Sequence, residues 1–351
     1  MTLRLTNAYT SDNLGDAAIY ESLVQLAGPL GASSALAADK ARHVRGLLGA
    51  SAAVCAHVSV GGDIFNNARP KLVTRRFLQL VQELRHAPPE RSFVFGQGLP
   101  SSCQGLSLAW LAHAMGRLNS VTVRDTRSHA RLKSAGVQAQ LGFDTAFAYR
   151  VNHSTVAAGR ALMEQGGVRP ERAVLLSVRE FDAMYPQDGP LFEARMATLI
   201  TQLSARGHQP AVIIQAQAGG ADADQTVVRR LQACCPQLRV LDPFALATLG
   251  HHPLDALVGA LGAAAGVVAV RYHTAVLRMI HGRAPFNLYY SSKGRDLVER
   301  LGTPGMALER FDPAAVLTAV EASMDQAWSV APVSAVVREQ FSAALAGAQA
   351  A

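Results

Sequence analysis

The chain has 351 residues, which is long for one ordinary compact core, so two domains of about 150 to 180 residues are expected. Hydrophobic residues make up 49% and charged residues 17%, a globular composition without an obvious signal peptide or membrane span, so we expect a cytoplasmic protein. The net charge of +7 is carried almost entirely by scattered arginines, which suits anionic ligands and argues against nucleic-acid binding.

Short apolar runs alternate with helical stretches along the whole chain, a pattern typical of parallel βαβ layers. Each run ends in polar or glycine residues, and each is followed by a helical stretch. The predicted strands cover residues 3–8, 56–62, 91–98, 120–125 and 138–144 in the first half, and 173–179, 210–216, 238–243, 267–271 and 286–291 in the second.

The segment between these halves, residues 163–172, combines a glycine pair with a proline, which is typical of a linker. The fold class we predict is α/β, with two doubly wound Rossmann-like domains facing across a cleft and ligands at the carboxyl ends of the strands. The predicted domains cover residues 1–165 and 172–312, and a helical segment over residues 313–351 could pack back across both.

The stretch "VVAVRYHTAVLRMIHGRAPFNLYYSSKGRD" brings an arginine and a histidine to the tip of a buried strand. A helix is predicted from about Thr274 to Gly282, and its free N–H groups favour an anion at the strand tip. Arg271 adds a guanidinium suited to carboxylate or phosphate, and His273 would stand beside that anion as a proton donor. The alternative is an arginine capping a surface loop and a histidine satisfied within the helix.

Two further cations occupy similar positions in the second half. Arg179 ends the strand "AVLLSVR", and it would share a sheet edge with Arg271, so the two arginines fit a substrate with two anionic groups. Lys293 follows the strand "FNLYYS" and could screen a phosphate, although a surface lysine would look the same.

Several strand tips in the first half carry glycines or polar side chains. Glycines at strand tips allow the backbone to come close to a bound ligand, so these tips could line a binding site. Each carboxylate could equally cap a helix or a turn. The candidates are Asn13 and Asp16 in "YTSDNLGD", Gly61, Gly62 and Asp63 in "VSVGGDIF", Gly98 in "FGQGLP" and Asp144 in "LGFDTAF".

The order of these motifs resembles that of the polysaccharide pyruvyl transferase family. The resemblance runs over about residues 7 to 303, through "NLGDAAI", "GGDIF", "FGQGLP", "VRDTRS", "GFDTAF" and "SVR". Its most specific element is the R-x-H strand tip followed by P-x-x-L-Y-Y-x-x-K, from Arg271 to Lys293. The family usually has three glycines where this chain has Gly61-Gly62-Asp63, and a Gly-Pro pair where it has Leu99-Pro100, which puts the acceptor in question more than the donor.

The resemblance implies two domains of the GT-B type and transfer of pyruvyl from phosphoenolpyruvate to sugar hydroxyls of a cell-surface glycan or its lipid-linked precursor. A ketal forms and phosphate leaves. It further implies that Arg179 and Arg271 hold the phosphate and carboxylate of phosphoenolpyruvate, with His273 as the general acid. Asp63, Asp16 and Asp144 are the candidates for the general base.

No metal or other cofactor is required by this scheme, and the four cysteines have no metal-ligand spacing. Peripheral contact with the inner face of the membrane is compatible with the basic charge, and the sequence predicts no particular oligomeric state.

Two other functions stay open at this level. A GT-B glycosyltransferase would use a nucleotide sugar, with Asp222 or Asp224 near the ribose. A binding module without catalysis would keep the fold to recognise an anionic glycan.

Overall fold

A computed structural model describes residues 2–8, 12–34, 53–67, 72–181, 189–217 and 223–351. The contacts among these residues divide them into two compact units. The first unit takes its residues from Met1–Thr10, Asp16–Arg150 and Ala331–Ala351, and the second from Ser11–Gly15 and Val151–Val330. The predicted α/β class with two doubly wound sheets is confirmed.

The first unit contains a parallel six-stranded sheet in the order β2-β1-β3-β4-β5-β6. Its strands are β1 (Thr2–Thr6), β2 (Ala32–Ser33), β3 (Val54–Ser59), β4 (Ser92–Gln97), β5 (Ser120–Val123) and β6 (Gln140–Leu141). The helices that follow the strands are α1 (Leu14–Ala27), α2 (Arg75–His86), α3 (Leu106–Met115) and α4 (Thr126–Ser134).

The second unit contains another parallel six-stranded sheet, in the order β12-β11-β10-β7-β8-β9. Its strands are β7 (Ala173–Leu176), β8 (Gln209–Ile213), β9 (Arg239–Leu241), β10 (Gly266–Ala269), β11 (Phe286–Tyr289) and β12 (Gly305–Ala307). Its helices are α5 (His153–Gln165), α6 (Gly189–Ala205), α7 (Asp224–Cys234), α8 (Pro253–Ala263), α9 (Tyr272–Met279), α10 (Ser292–Leu301) and α11 (Pro313–Ser323), and a last helix, α12 (Ala331–Ala350), belongs to the first unit.

All ten predicted strands are present, and two short edge strands, β2 and β12, were not predicted. These two have only two and three residues, too few for an apolar run to stand out. The predicted strands extended one to three residues past the observed carboxyl ends because their polar tips are loops. These tips are where ligands bind in sheets of this kind.

The two faces of the first sheet are covered by different helices. On one face Phe93 and Phe95 of β4 pack edge-to-face against Phe341 of α12, with ring centroids 5.8 and 5.3 Å apart. On the other face Val94 belongs to a core with α2, α3 and α4. Because strand side chains alternate between faces, this one strand places the three helices together, opposite α12.

The boundary between the units differs from the predicted linker at residues 163–172. The contacts change over between Arg150 and Val151, and α5 therefore belongs to the second unit. The reason is close packing of α5 on α8, where a Cβ on Gly259 would come within 2.9 Å of the Gly159 Cα atom. Thr155 also donates to Asp255 at 3.2 Å.

The C-terminal segment, residues 313–351, is helical as predicted, but it is divided between the two units. It forms two helices, with α11 in the second unit and α12 in the first. Phe341 accounts for the position of α12, because it is 1% exposed between the rings of β4.

Candidate functional site

The strand order of the second unit reverses between β7 and β10, where a doubly wound sheet opens a crevice at its carboxyl edge. Ser177 joins the two strand ends at this point. Its hydroxyl oxygen accepts the backbone N–H groups of Val270 at 2.9 Å and Arg271 at 3.1 Å. The carboxyl ends of β7 and β10, with Arg179 and Arg271, therefore meet at the position that the fold favours for a ligand.

Arg271 forms a buried ion pair with Asp224. Its Nε atom donates to the Asp224 carboxylate at 2.8 Å and to the Val178 carbonyl at 3.0 Å. Asp224 also accepts the backbone N–H groups of Gln215 and Ala216, at 2.8 and 3.0 Å. Burial raises the pKa of Asp224, and the guanidinium and the two N–H groups oppose that rise. Much of the Arg271 charge is thus already balanced inside the protein.

His273 occupies the first turn of α9 and is 8% exposed. Its ring lies against Gly15, where any side chain would collide with the imidazole. The helix begins at Tyr272, two residues before the predicted start, so His273 is held by helical backbone. The "NLGD" and "RYHT" motifs, far apart in the sequence, come together here.

Residues 12–15 are tied to the second unit by hydrogen bonds, although they follow β1 in the chain. The Asn13 side-chain oxygen accepts from Gly15 N–H at 2.9 Å and from the Gln215 amide at 3.2 Å. Thr274 donates to the other end of the Gln215 side chain at 2.7 Å. Asn13 therefore fixes the loop beside His273, a structural task that does not test its predicted role in substrate binding.

Arg179 and Lys293 each lie beside a tyrosine. Arg179 donates to the Tyr290 hydroxyl, and its guanidinium carbon lies 5.2 Å from the ring centroid. Lys293 Nζ lies 5.6 Å from the Tyr272 ring centroid. The aromatic rings help to hold both cations at the carboxyl edge of the sheet.

A pocket of about 270 Å³, including space open to solvent, lies between the ends of β10 and β11. Arg271, Tyr272, Tyr290 and Lys293 are among its lining residues. The helices α9 and α10 begin at its wall, and within the described residues neither N-cap side chain, Arg271 or Ser291, accepts an N–H of its own helix. Two helix N-termini and several cations make this edge suited to a small, multiply charged anion.

The first unit has a second polar cluster at its carboxyl edge. Arg124, which follows β5 and is 2% exposed, donates to Asp144 at 2.6 Å and pairs with Asp63 at 2.8 Å. The side chain of Asp144 is fully buried, and it also accepts the Ala146 N–H at 2.9 Å, whereas that of Asp63 is 31% exposed. The Arg124 guanidinium thus balances the buried Asp144 carboxylate and orients the partly exposed Asp63 carboxylate.

The glycines of this edge make room for the protein's own atoms. A Cβ on Gly61 would come within 2.6 Å of the Gly96 carbonyl oxygen, and one on Gly98 within 2.8 Å of Arg124 Nε. Gly62 has a φ of 100°, which a side chain would strain. The protein's own packing accounts for Gly61 and Gly98, and backbone conformation accounts for Gly62. A close approach of a ligand to these glycines stays a prediction.

Some residues of these clusters were not among the sequence candidates. Arg124 is one of them, and the neighbouring Asp125 caps α4 by accepting the Ser128 N–H at 2.8 Å. Gln215 and Tyr290 carried no signal beyond their places at strand ends. Asp16 lies in the first turn of α1, as predicted, and Asp222 lies outside the described residues.

The fold of the chain is similar to that of solved structures over nearly its whole length. The UDP-GlcNAc 2-epimerase of Methanocaldococcus jannaschii, in complex with UDP-GlcNAc and UDP, superposes with a TM-score of 0.56 at 8% identity, over 99% of each chain. Anabaena HepE in complex with UDP and glucose gives 0.52 at 13% identity, over 98% of this chain and 100% of that one. These similarities confirm the predicted GT-B-like α/β class.

The family model of the polysaccharide pyruvyl transferases matches residues 13–292, most of the chain. The protein therefore belongs to the polysaccharide pyruvyl transferase family and is a transferase, as the motifs indicated. None of the curated protein sequences with which it was compared is significantly similar to it.

Two features are absent from the part of the chain that the structure describes. No group of three or more His, Cys, Asp or Glu side chains among them is arranged to hold a metal ion. None of the described helices is both long enough and apolar enough to cross a membrane.

Proposed function

We propose that the protein transfers the pyruvyl group of phosphoenolpyruvate to two hydroxyls of one sugar in a cell-surface glycan or its lipid-linked precursor. The product is a cyclic ketal, and inorganic phosphate leaves. The observation that carries the proposal is a cluster of cations and a histidine in a chain of this family. Arg271 and Lys293 line the second-unit pocket, and Arg179 and His273 contact two of its lining tyrosines, Tyr290 and Tyr272.

Phosphoenolpyruvate carries a phosphate and a carboxylate on adjacent positions, so its site needs several donors at one edge. Arg179 and Lys293 supply charges held by tyrosines, and the first turns of α9 and α10 supply N–H groups. Arg271, balanced by Asp224, contributes hydrogen-bond geometry more than net charge.

The reaction begins with a proton transfer to C3 of phosphoenolpyruvate, which makes C2 electrophilic. His273 donates that proton, and the first sugar hydroxyl forms a bond to C2. The C2–O bond to phosphate then breaks, and the second hydroxyl forms the second bond to C2. Of the two hydroxyl protons, one replaces the proton that His273 donated, and the other leaves with the phosphate. A positioned acid of this kind contributes about 10²- to 10⁴-fold to the rate. The arginines offset the charge of the departing phosphate.

Asp63 is the general base that we assign for the acceptor hydroxyl. Of its alternatives, Asp144 is fully buried, with its oxygens engaged by Arg124 and the Ala146 N–H. Asp16 lies in the first turn of α1, a position that ordinary helix capping explains. Asp63 combines partial exposure with an orientation fixed by Arg124, and acceptor binding by the first unit follows from this assignment.

The nucleotide-sugar alternative needs a carboxylate near the ribose, and of its two candidates only Asp224 lies within the described residues. Asp224, which would have bound the ribose, instead accepts Arg271 and two backbone N–H groups. A further hydrogen bond to a ribose would have to displace one of these buried partners. The proposed reaction needs no metal or other cofactor.

The proposal is tested by incubating the protein with phosphoenolpyruvate and a panel of nitrophenyl hexosides and N-acetylhexosaminides. We expect phosphate release that requires both substrates, with a glycoside product heavier by one pyruvate less one water. Glycoside turnover with UDP-sugars in place of phosphoenolpyruvate would contradict the proposal. His273→Ala serves as the matched inactive enzyme.

A further inference from the structure

The surface of the first unit formed by α2, α3 and α4 is unusually basic. Residues 72–139 contain nine arginine and lysine residues against three acidic ones, a net charge of +6 compared with +7 for the whole chain. Seven of the nine cations are exposed: Arg75, Arg76, Arg85, Arg91, Arg117, Arg127 and Lys133. Of the acidic residues Glu90 is exposed, Glu83 accepts the Asn7 N–H, and Asp125 caps α4.

The helix α3 carries an exposed apolar ridge, which consists of Leu106, Ala109 and Trp110. Leu106 is 66% exposed and Trp110 is 47% exposed, and the spacing of four residues puts both on one side of the helix. The next exposed positions on that side are His113 and Arg117. The sequence of α3 contains no acidic residue.

The ridge lies between the basic residues of its neighbours. The strand order β3-β4-β5-β6 with right-handed crossovers puts α3 between α2 and α4, and all three helices share one core. Arg75 and Arg76 begin α2 and Arg127 lies in the first turn of α4, so these cations, like Leu106, lie at the carboxyl end of the sheet.

We propose that the ridge and the surrounding arginines dock on a membrane surface that contains anionic lipids. Tryptophan and leucine enter the headgroup region, and each arginine near the surface interacts favourably with negatively charged lipid. A second copy of this chain fits the same surface less well, because a symmetric contact would bring two faces of high positive charge together.

Docking at this surface brings the carboxyl edge of the first unit close to the lipid, since Leu106 and Arg75 lie at that end of the sheet. Asp63, the acceptor residue of the proposed function, follows β3 at the same edge. A lipid-linked acceptor would fit this arrangement. The docking itself does not rest on the proposed reaction, and the two are tested separately.

Tryptophan fluorescence gives the sharpest test, because the chain has only two tryptophans. Trp328 lies in the second unit and is replaced by Phe, which leaves Trp110 as the reporter. On addition of phosphatidylcholine vesicles containing phosphatidylglycerol, we expect a blue shift of Trp110 emission and quenching by brominated lipid chains. Emission that is unchanged by these vesicles overturns the proposal.

Vesicle sedimentation separates the apolar and charged contributions. Removal of one arginine should lower the partition coefficient about fivefold, so Arg75→Gln/Arg76→Gln should lower it by about 25-fold at low salt. Leu106→Ser/Trp110→Ser should lower it at least as much. Binding of the wild type should also weaken as the ionic strength rises.

Two control variants keep the test specific. Leu249→Ser removes a leucine that is 64% exposed in the second unit, and Arg338→Gln removes an exposed cation on α12, across the first sheet. Neither should change vesicle binding. Equal losses in the controls, or self-association that depends on Trp110 with no vesicle binding, would overturn the proposal. Phosphoenolpyruvate binding should be the same in all four variants.

Discussion

The carboxyl edges of the two sheets each contain a buried arginine–aspartate pair, and they differ in the charged residues around it. In the second unit a buried arginine, Arg271, pairs with one aspartate, and two more cations, Arg179 and Lys293, stand beside tyrosines. In the first unit the buried arginine, Arg124, holds two aspartates. In the proposed function, the second-unit edge binds the anionic donor, and the first-unit edge presents the Asp63 carboxylate to the acceptor hydroxyl.

The two units also stabilise a buried arginine in the same way. Each buried arginine follows the carboxyl end of a strand and pairs with an aspartate that is itself fixed by backbone N–H groups, Asp224 in one unit and Asp144 in the other. The pairs Arg271–Asp224 and Arg124–Asp144 support the carboxyl edges of their sheets, and the charged residues around these pairs differ between the units.

The largest expected effect comes from breaking the triad of the first unit, which consists of Arg124, Asp63 and Asp144. Arg124→Ala leaves two carboxylates without their cation, one of them fully buried, and should lower the free energy of unfolding of the first unit by about 3 to 5 kcal/mol. Urea denaturation followed by Trp110 fluorescence, with Trp328 replaced by Phe, measures this. The exposed neighbour Arg127→Ala should change it by less than about 0.5 kcal/mol. Equal effects of the two variants would show that the triad is not important for stability.

His273→Ala tests the second-unit edge by its chemistry. We expect kcat to fall by about 10²- to 10⁴-fold, the contribution of a positioned general acid, with a small change in phosphoenolpyruvate binding. Steady-state kinetics and calorimetric titration separate the two quantities. Full turnover in this variant would show that another group protonates C3.

The pH dependence of stability provides a third test. It concerns His281, which follows α9 in the second unit. Burial lowers the pKa of His281 to about 4, although its bond to the Val258 carbonyl acts in the opposite direction. Because the folded pKa lies below the unfolded value of 6.5, stability is full above about pH 6.5 and falls as the pH drops through 4.

The loss attributable to His281 is at most about 3 kcal/mol. His281→Asn should remove most of it, so that the free energy of unfolding of the second unit changes less between pH 7 and 4. Trp328 fluorescence in a Trp110→Phe background reports this unit. An acid sensitivity identical to that of the wild type would exclude His281 as its cause.

Arg179→Ala should weaken phosphoenolpyruvate binding by about 1.5 to 3 kcal/mol, the contribution of hydrogen bonds to a charged group. Stability should change little, because Arg179 is half-buried and rests on Tyr290. Calorimetric titration provides the dissociation constant. Asp63→Asn is the matched variant of the other edge, and it should slow turnover without weakening phosphoenolpyruvate binding.

Much of the fold could be predicted from the sequence, because parallel strands buried on both faces are continuous apolar runs. The strand tips of Arg179, Arg271 and Asp63 could be located in this way as well. The edge strands β2 and β12 could not, since they are too short to carry a pattern. The assignment of α5 to the second unit depends on its glycine contact with α8, which is a tertiary feature.

The partners of the site residues were harder to predict than the residues themselves. Nothing local in the sequence pairs Arg271 with Asp224, 47 positions away, or Arg124 with both Asp63 and Asp144. Helix-capping rules explained Asp125 because its partner lies three residues along the chain. Long-range ion pairs depend on strand order, which a single sequence indicates only coarsely.

The most direct test of the donor-site assignment is calorimetric titration of phosphoenolpyruvate and of UDP into wild type, Arg179→Ala and Asp63→Asn. We predict that phosphoenolpyruvate binds wild type and Asp63→Asn with the same affinity and binds Arg179→Ala at least tenfold more weakly. UDP should not bind at the same site. Binding of UDP alone, or phosphoenolpyruvate binding that is unaffected by Arg179→Ala, would contradict the assignment of the second-unit edge as the donor site.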